Sequence, residues 1–146
     1  FFKKWNMARI KLSIPAKQLF ETIIPVRISD INYGNHLGND SMVSMLHEAR
    51  VQWLNSLDFT ELNIKGVGLI MSDLAVEYKQ EAFAGETLTF SIFIGDSSGV
   101  SFELYYLVKN QANQTVALAK TGMVCFNYES RKVVPIPADL IKVIHD

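Results

Sequence analysis

The sequence predicts an α+β fold in which a five-stranded antiparallel sheet wraps around one long central helix. Three observations predict it. Apolar residues alternate over 20–28, the spacing changes to three and four over 41–57, and four further strand-length segments follow, separated by turn residues. With 146 residues, 49% of them hydrophobic and 20% charged, the chain can bury roughly two-thirds of its unfolded surface and is too apolar to be disordered. A single domain over 1–146 is expected, with its core at about 19–141.

The elements follow in order. Phe20, Thr22, Ile24, Val26 and Ile28 take every second position, which places them on one face of the first strand. Residues 29–40 hold two Gly, three Asn and two Asp, a loop composition tolerant of unusual backbone angles. Met42, Met45, Leu46, Ala49, Trp53, Leu54 and Leu57 then mark the helix, and Asn39, Asp40 or Ser41 suits its cap. Past Gly66 and Gly68, residues 70–80 put Leu74, Val76 and Tyr78 on one face. Alternation continues over 88–94, 100–108 and 116–128, with turns at Gly85-Glu86, 96–99 and 110–114. Consecutive strands are expected to pair as a meander, and no further helical pattern is read before the C-terminus. The one helix must therefore cover the sheet's apolar face. Phe93, Tyr105 and Leu107 point the other way and would be wet in a monomer, so self-association is expected.

Several function classes are excluded. Fourteen Lys and Arg against fifteen Asp and Glu give a net charge of −1, without the basic surplus that binding to nucleic acid requires. The lone Cys125 forms no intrachain disulfide and fits a reducing, cytoplasmic setting. No signal-peptide core is read at the N-terminus, where Met7 suits either an initiator or an ordinary arm. No membrane span of about 18 apolar residues occurs. His36, His47 and His145 lack metal-site spacing, so no zinc or iron is expected. There is no G-x-S-x-G elbow, and Gly66-Val67-Gly68 lacks the third glycine of a dinucleotide loop.

The run Arg27-Ile28-Ser29-Asp30-Ile31-Asn32-Tyr33-Gly34-Asn35-His36-Leu37-Gly38-Asn39 is followed on the helix by Glu48-Ala49-Arg50. It resembles the R-Y-x-D-x-D-x-x-G-H-x-N-N loop and E-x-A-R helix of the hot-dog-fold thioesterases, particularly the 4-hydroxybenzoyl-CoA thioesterase-like group. Tyr78 with Gly85-Glu86-Thr87-Leu88 looks like that family's Y-x(6)-G-D-x-L turn, and Pro135-Ile136-Pro137 before Leu140 resembles its tail. The likeness spans 20–141. It departs at Asn32, where many members carry a catalytic carboxylate, at Gly34, one place early, at Asn35 directly before His36, and at Gly38.

The resemblance implies a hot-dog fold and an acyl-CoA or acyl-carrier thioesterase. Its substrate would be a CoA thioester, with no cofactor, in a homodimer or homotetramer whose subunit boundary admits the pantetheine arm. Such hydrolysis needs a base and donors for the developing oxyanion. The donors would be the N–H groups of Gly38, Asn39, Asp40 and Ser41 at the helix start. Glu48, His36 and Asp30 are the candidate bases, since Asn32 can only hold a water or carbonyl by hydrogen bonds. Glu48 leads, because it shares a helix face with Ser41 and similar enzymes use the acidic residue there; His36 would orient or donate. The plain readings stand beside these. Glu48 also shares a solvated face with Ser44, Gln52 and Asn55, His36 suits a surface loop, and Asp30 and Asn39 suit a turn or cap. A non-catalytic acyl-thioester binding module is the alternative that Asn32 keeps open, while a hydratase would need an Asp/His dyad loop that is not evident.

Overall fold

The computed structural model describes residues 9–145, so Met7 lies outside the described residues. Its elements are β1 (Gln18–Pro25), a 3-10 turn at Ile28–Asp30, α1 (Asn39–Ser56), β2 (Gly68–Tyr78), β3 (Thr87–Ser97), β4 (Ser101–Lys109), β5 (Thr115–Asn127), β6 (Lys132–Val133) and α2 (Ala138–His145). The strands form one antiparallel sheet in the order β1-β3-β4-β5-β2, with the short β6 added on β5.

The meander holds for β3, β4 and β5 but not for β2. That strand lies on the far side of β5, with Leu69 opposite Cys125 and Val76 opposite Ala119, while β1 takes the place beside β3. Gly85-Glu86 is accordingly the end of a crossing from the β2 edge to β3 and not a hairpin. Its Gly85, in the left-handed region at φ 88°, donates its N–H to the Val26 carbonyl at 2.9 Å, docking the crossing on the end of β1. Alternation reveals a strand's faces and is silent about its partner.

Other boundaries shift for local reasons. β1 stops at Pro25, whose missing N–H suits a strand end, so Ile28 stands 82% exposed on the 3-10 turn although Val26 is buried. α2 is a second helix where none was expected; its eight residues are too few to display a period, yet Leu140 and Ile144 are buried against the sheet's core.

The concave face carries the core. From α1, Met42, Met45, Leu46, Ala49, Trp53 and Leu54 are buried among Phe90, Ile92, Phe102, Leu104 and Met123. α1 approaches β1 and β3 most closely, which leaves Met71, Leu74 and Tyr78 exposed at the β2 edge.

The outer face is not left wet. Glu77, Leu118 and Leu107 are register partners across β2, β5 and β4, so they share that face. The Lys17 carbonyl accepts the Ile94 N–H on β3, while the Leu12 N–H donates to Glu77 Oε1 at 3.0 Å on β2. Residues 12–17 thus cross the outer face from one side of the sheet to the other. Phe93, Tyr105 and Leu107 are half-buried within the single chain and so are less wet than the alternation alone predicts.

A polar tether ties helix to sheet. The Arg50 guanidinium, 6% exposed, donates to Glu61 at 2.8 Å and to the Tyr106 hydroxyl at 3.1 Å, and that hydroxyl shares a 2.8 Å bond with Thr121. His47 adds a second bond to Glu61. Burial pushes the Glu61 carboxyl upward, but the bonds from Arg50 and His47 outweigh it and hold the group below its ordinary range. Arg50→Leu deletes the buried partner that Glu61 and Tyr106 share and is expected to cost about 3 kcal/mol by urea denaturation, against about 1 kcal/mol for Tyr106→Phe, which removes one hydroxyl and keeps the ion pair.

Candidate functional site

The loop between β1 and α1 is built on Asp30. Its buried carboxylate accepts the Arg27 backbone N–H at 2.9 Å and the Arg27 guanidinium at 3.3 Å, and its carbonyl accepts the Gly38 N–H at 3.0 Å. Burial would raise the carboxyl's pKa; the Arg27 backbone and side chain outweigh it and lower the value below the ordinary range. Asp30 therefore holds the loop and does not reach the cleft described below.

Between Asp30 and Gly38 the chain makes a tight reversal. The Asn32 N–H donates to the His36 carbonyl at 3.0 Å, the Asn35 N–H returns to the Asn32 carbonyl at 3.1 Å, and Asn35 takes a left-handed φ of 64°. Asn32 Oδ1 accepts the Gly34 N–H at 2.9 Å. A Cβ on Gly34 would stand 3.1 Å from His36 Nε2, so glycine there admits the imidazole over the turn. The reversal is pinned outward by the Leu37 N–H, which donates to the Ala82 carbonyl at 2.8 Å.

α1 begins at Asn39, with Gly38 as an extended N-cap that has no side chain to offer. Of the three residues expected to cap it, Asn39 alone bonds a first-turn amide, its Oδ1 accepting the Asp40 N–H at 2.8 Å from within the helix. The Gly38 N–H is spent on Asp30 and the Asp40 N–H on Asn39, which removes both from the expected oxyanion donors. The N–H groups of Asn39 and Ser41 have no partner among the described residues.

A cleft of about 880 Å³ opens over this helix start. The loop supplies Asn32, Tyr33, His36 and Leu37, the helix Gly38, Asn39, Asp40 and Met42, and the sheet side Tyr78, Lys79, Gln80, Glu81, Ala82 and Val116. The structure thus brings together Asn32, His36, Gly38, Asn39 and Asp40. It does not bring Asp30, Ser41 or Glu48 to the lining. Glu48 is exposed along α1, where it accepts a 2.7 Å bond from Gln52, whose Oε1 takes the Thr22 hydroxyl. Within the single chain its polar face is exposed.

His36 has a defined polarity. Its Nδ1 lies 3.1 Å from the Leu37 carbonyl, and because a carbonyl only accepts, the neutral ring carries its proton on Nδ1 and its lone pair on Nε2. Nε2 is 3.9 Å from Glu81 Oε1, beyond hydrogen-bond reach.

The sequence reading missed Lys79, Glu81 and Ala82, and it placed Tyr78 on a strand face and in a motif but not at the site. These residues reach the cleft because β2 runs beside β5 and the crossing to β3 passes the loop, a pairing no periodicity discloses. Cys125 is buried and its thiol is pushed up by burial to about 11, which leaves it inert as a nucleophile. Among the described residues no cluster suits a metal ion, and no helix is long and apolar enough to cross a membrane.

A family model described as the thioesterase-like superfamily matches residues 26–144. No curated protein matches the chain. Among solved structures, the 1,4-dihydroxy-2-naphthoyl-CoA thioesterase from Synechocystis is similar at TM-score 0.80 and 24% identity, covering 87% of this chain and 96% of that one. A gentisyl-coenzyme A thioesterase gives TM-score 0.76 and 19% identity, covering 86% of this chain and 99% of that one. A Staphylococcus aureus protein solved in complex with CoA gives 0.78 and 18%, covering 92% and 85%. At these identities the structural likenesses establish the hot-dog fold alone.

The Asp30 anchor has a pH signature. Its folded-state pKa is depressed, so its contribution is complete above the unfolded value of about 3.9 and is lost as pH falls through the folded value. Asp30→Asn is expected to lower stability by about 1 kcal/mol at pH 7, and the gap between variant and wild type should close below pH ~4 in thermal melts.

Proposed function

Because the chain belongs to the thioesterase-like superfamily, we propose that it hydrolyses an acyl-CoA or acyl-carrier thioester to a free acid and a thiol. One observation supports this most directly: an 18-residue helix presents the unpartnered N–H of Asn39 at a cleft that His36 also lines, with its Nδ1 held by the Leu37 carbonyl and its Nε2 left basic. Water attacks the thioester carbonyl carbon while His36 Nε2 takes a proton from it. The oxyanion gathers against the Asn39 N–H, backed by the helix dipole of about half a positive charge. Collapse breaks the C–S bond, and the imidazolium returns the proton to the leaving thiolate. Asn32, with Oδ1 engaged by Gly34, keeps its Nδ2 donor for the carbonyl or the water. Leu37, Met42, Ala82 and Val116 supply apolar lining for the acyl group.

The reaction calls for no cofactor, since water is the nucleophile. A buried, lone thiol at Cys125 fits a reducing cytoplasmic setting. The working unit is at least a homodimer, with the pantetheine arm entering along the subunit boundary. The support for this is the β2 edge, where an 11-residue edge strand carries Met71 at 46% and Leu74 at 37% exposure, uncovered by α1. Asn32 supports the second reading, a non-catalytic module that binds acyl thioesters, because an amide has no useful proton affinity where many relatives place an acid.

Assays with benzoyl-CoA and octanoyl-CoA under free-thiol detection separate these. His36→Gln is expected to lower kcat about 10²-fold, the scale of one general base, while Glu48→Gln stays within about twofold. The reverse pattern would move the base to Glu48 of a second copy. Wild-type binding without any thiol release would establish the binding module.

Sedimentation of the wild type at tens of micromolar is expected to give a dimer or larger, and Leu74→Lys, which places a charge on the β2 edge, a monomer. A wild-type monomer at that concentration removes the shared-boundary model.

A further inference from the structure

We propose that Tyr78 is a positioning residue for the oxyanion donor, the Asn39 N–H: from the end of β2 its hydroxyl holds the first turn of α1 in the orientation the reaction needs. The inference rests on the thioesterase reading, and it begins from a contact between residues far apart in sequence. The Tyr78 hydroxyl donates to the Asn39 carbonyl at 3.0 Å. The same peptide unit is held at its other end, where the Asp40 N–H donates to Asn39 Oδ1 at 2.8 Å.

Peptide units are rigid planes, so a plane tethered to the sheet at its carbonyl and closed locally at its N–H resists rotation. The plane joining Asn39 to Asp40 lies between the planes that carry the Asn39 and Ser41 N–H groups. Steadying the middle plane therefore aims the Asn39 N–H at the cleft and steadies the Ser41 N–H on its other side. A first helical turn otherwise frays, because its amides have no partners within the helix.

Tyr78 is itself held on the sheet. It pairs with Ala117 of β5, and the Arg9 guanidinium donates to its carbonyl at 2.8 Å. Its ring lines the cleft, so the tether stands beside the reacting groups rather than behind the core. Burial, reinforced by the Asp40 carboxylate, raises the phenol above its ordinary value of 10.0, and the hydroxyl remains protonated, and so a donor, through neutral and mildly alkaline pH. The apolar faces of the molecule do not account for this contact: a tyrosine placed only for burial has no need of a helix-start carbonyl, and Tyr78 is 37% exposed.

The test is Tyr78→Phe, which keeps the ring and deletes the hydroxyl. With benzoyl-CoA, kcat is expected to fall about tenfold, less than the 10²-fold or more that follows removal of a donor outright, while KM stays within about twofold. Binding of phenacyl-CoA, in which a methylene separates the sulfur from the carbonyl and blocks hydrolysis, should also stay within about twofold. In ¹⁵N-labelled protein the Asn39 and Ser41 amide resonances should shift while those of β3 and β4 stay in place, a signature that a merely packed ring would not produce. An unchanged kcat in an active enzyme, or unmoved Asn39 and Ser41 resonances, overturns the inference. If the wild type hydrolyses neither benzoyl-CoA nor octanoyl-CoA, the thioesterase reading falls, and the amide resonances alone decide whether Tyr78 holds the turn.

Discussion

The rotation of α1 about its own axis is the constraint from which the site follows, and the buried Arg50 sets it. A guanidinium out of water must find its partners or cost several kcal/mol, and only one rotation of the helix brings it to Tyr106, and through Tyr106 to Thr121, while still reaching Glu61. That rotation turns Met42, Met45, Leu46, Ala49, Trp53 and Leu54 onto the sheet. It also determines where the polar residues go: Glu48 is carried toward Gln52 and Thr22, on the β1 side, and Asn39 toward Tyr78. The same arginine that secures the core thus decides which carboxylate can meet the cleft and which cannot.

A helix placed this way cannot cover a sheet of five long strands evenly. It lies nearest β1 and β3, and the molecule closes the remaining surfaces by different means. α2 buries Leu140 and Ile144, and residues 12–17 cross the outer face to Glu77. The β2 edge keeps its apolar shoulder, and the cleft opens at the end of that same strand, where Tyr78, Lys79 and Gln80 meet the loop. Incomplete coverage and the candidate site are therefore one geometric fact. The space that α1 does not fill is the space a ligand can enter.

Residue patterns disclosed the parts of this that are local. β3 and β4 alternate cleanly because one face is core, and the buried positions of α1 are those its period marks. What the patterns do not hold is partnership. Nothing between 68 and 78 says that β2 skips β3 to join β5, and with that skip went Tyr78, Lys79 and Glu81 as cleft residues. In the loop, composition pointed to the right segment but could not sort its acids. Asp30 and Asp40 are the same residue type ten positions apart, yet one is buried as an anchor for Arg27 and the other lines the cleft, a difference made by the reversal at 32–36. Gly38 was read as a donor, and the structure spends its N–H on the Asp30 carbonyl, because a loop this tight must satisfy its own backbone first.

That accounting also bears on Asn32, the departure that most separates this chain from the pattern it resembles. An aspartate at 32 would accept the Gly34 N–H through one oxygen and turn the other into the cleft, close to Asp40, whose carboxylate already occupies the space beside Gly38. Two carboxylates crowded at one helix start repel each other as well as the developing oxyanion. Asparagine keeps the bond to Gly34, removes the like charge and exchanges an acceptor for a donor at the point where negative charge would grow. The proton then has to go to a group whose basic atom faces the same space. His36 meets that condition, because the Leu37 carbonyl holds its other nitrogen. Asn32 and His36 are in this sense one arrangement: the amide that cannot take a proton sits where the imidazole can.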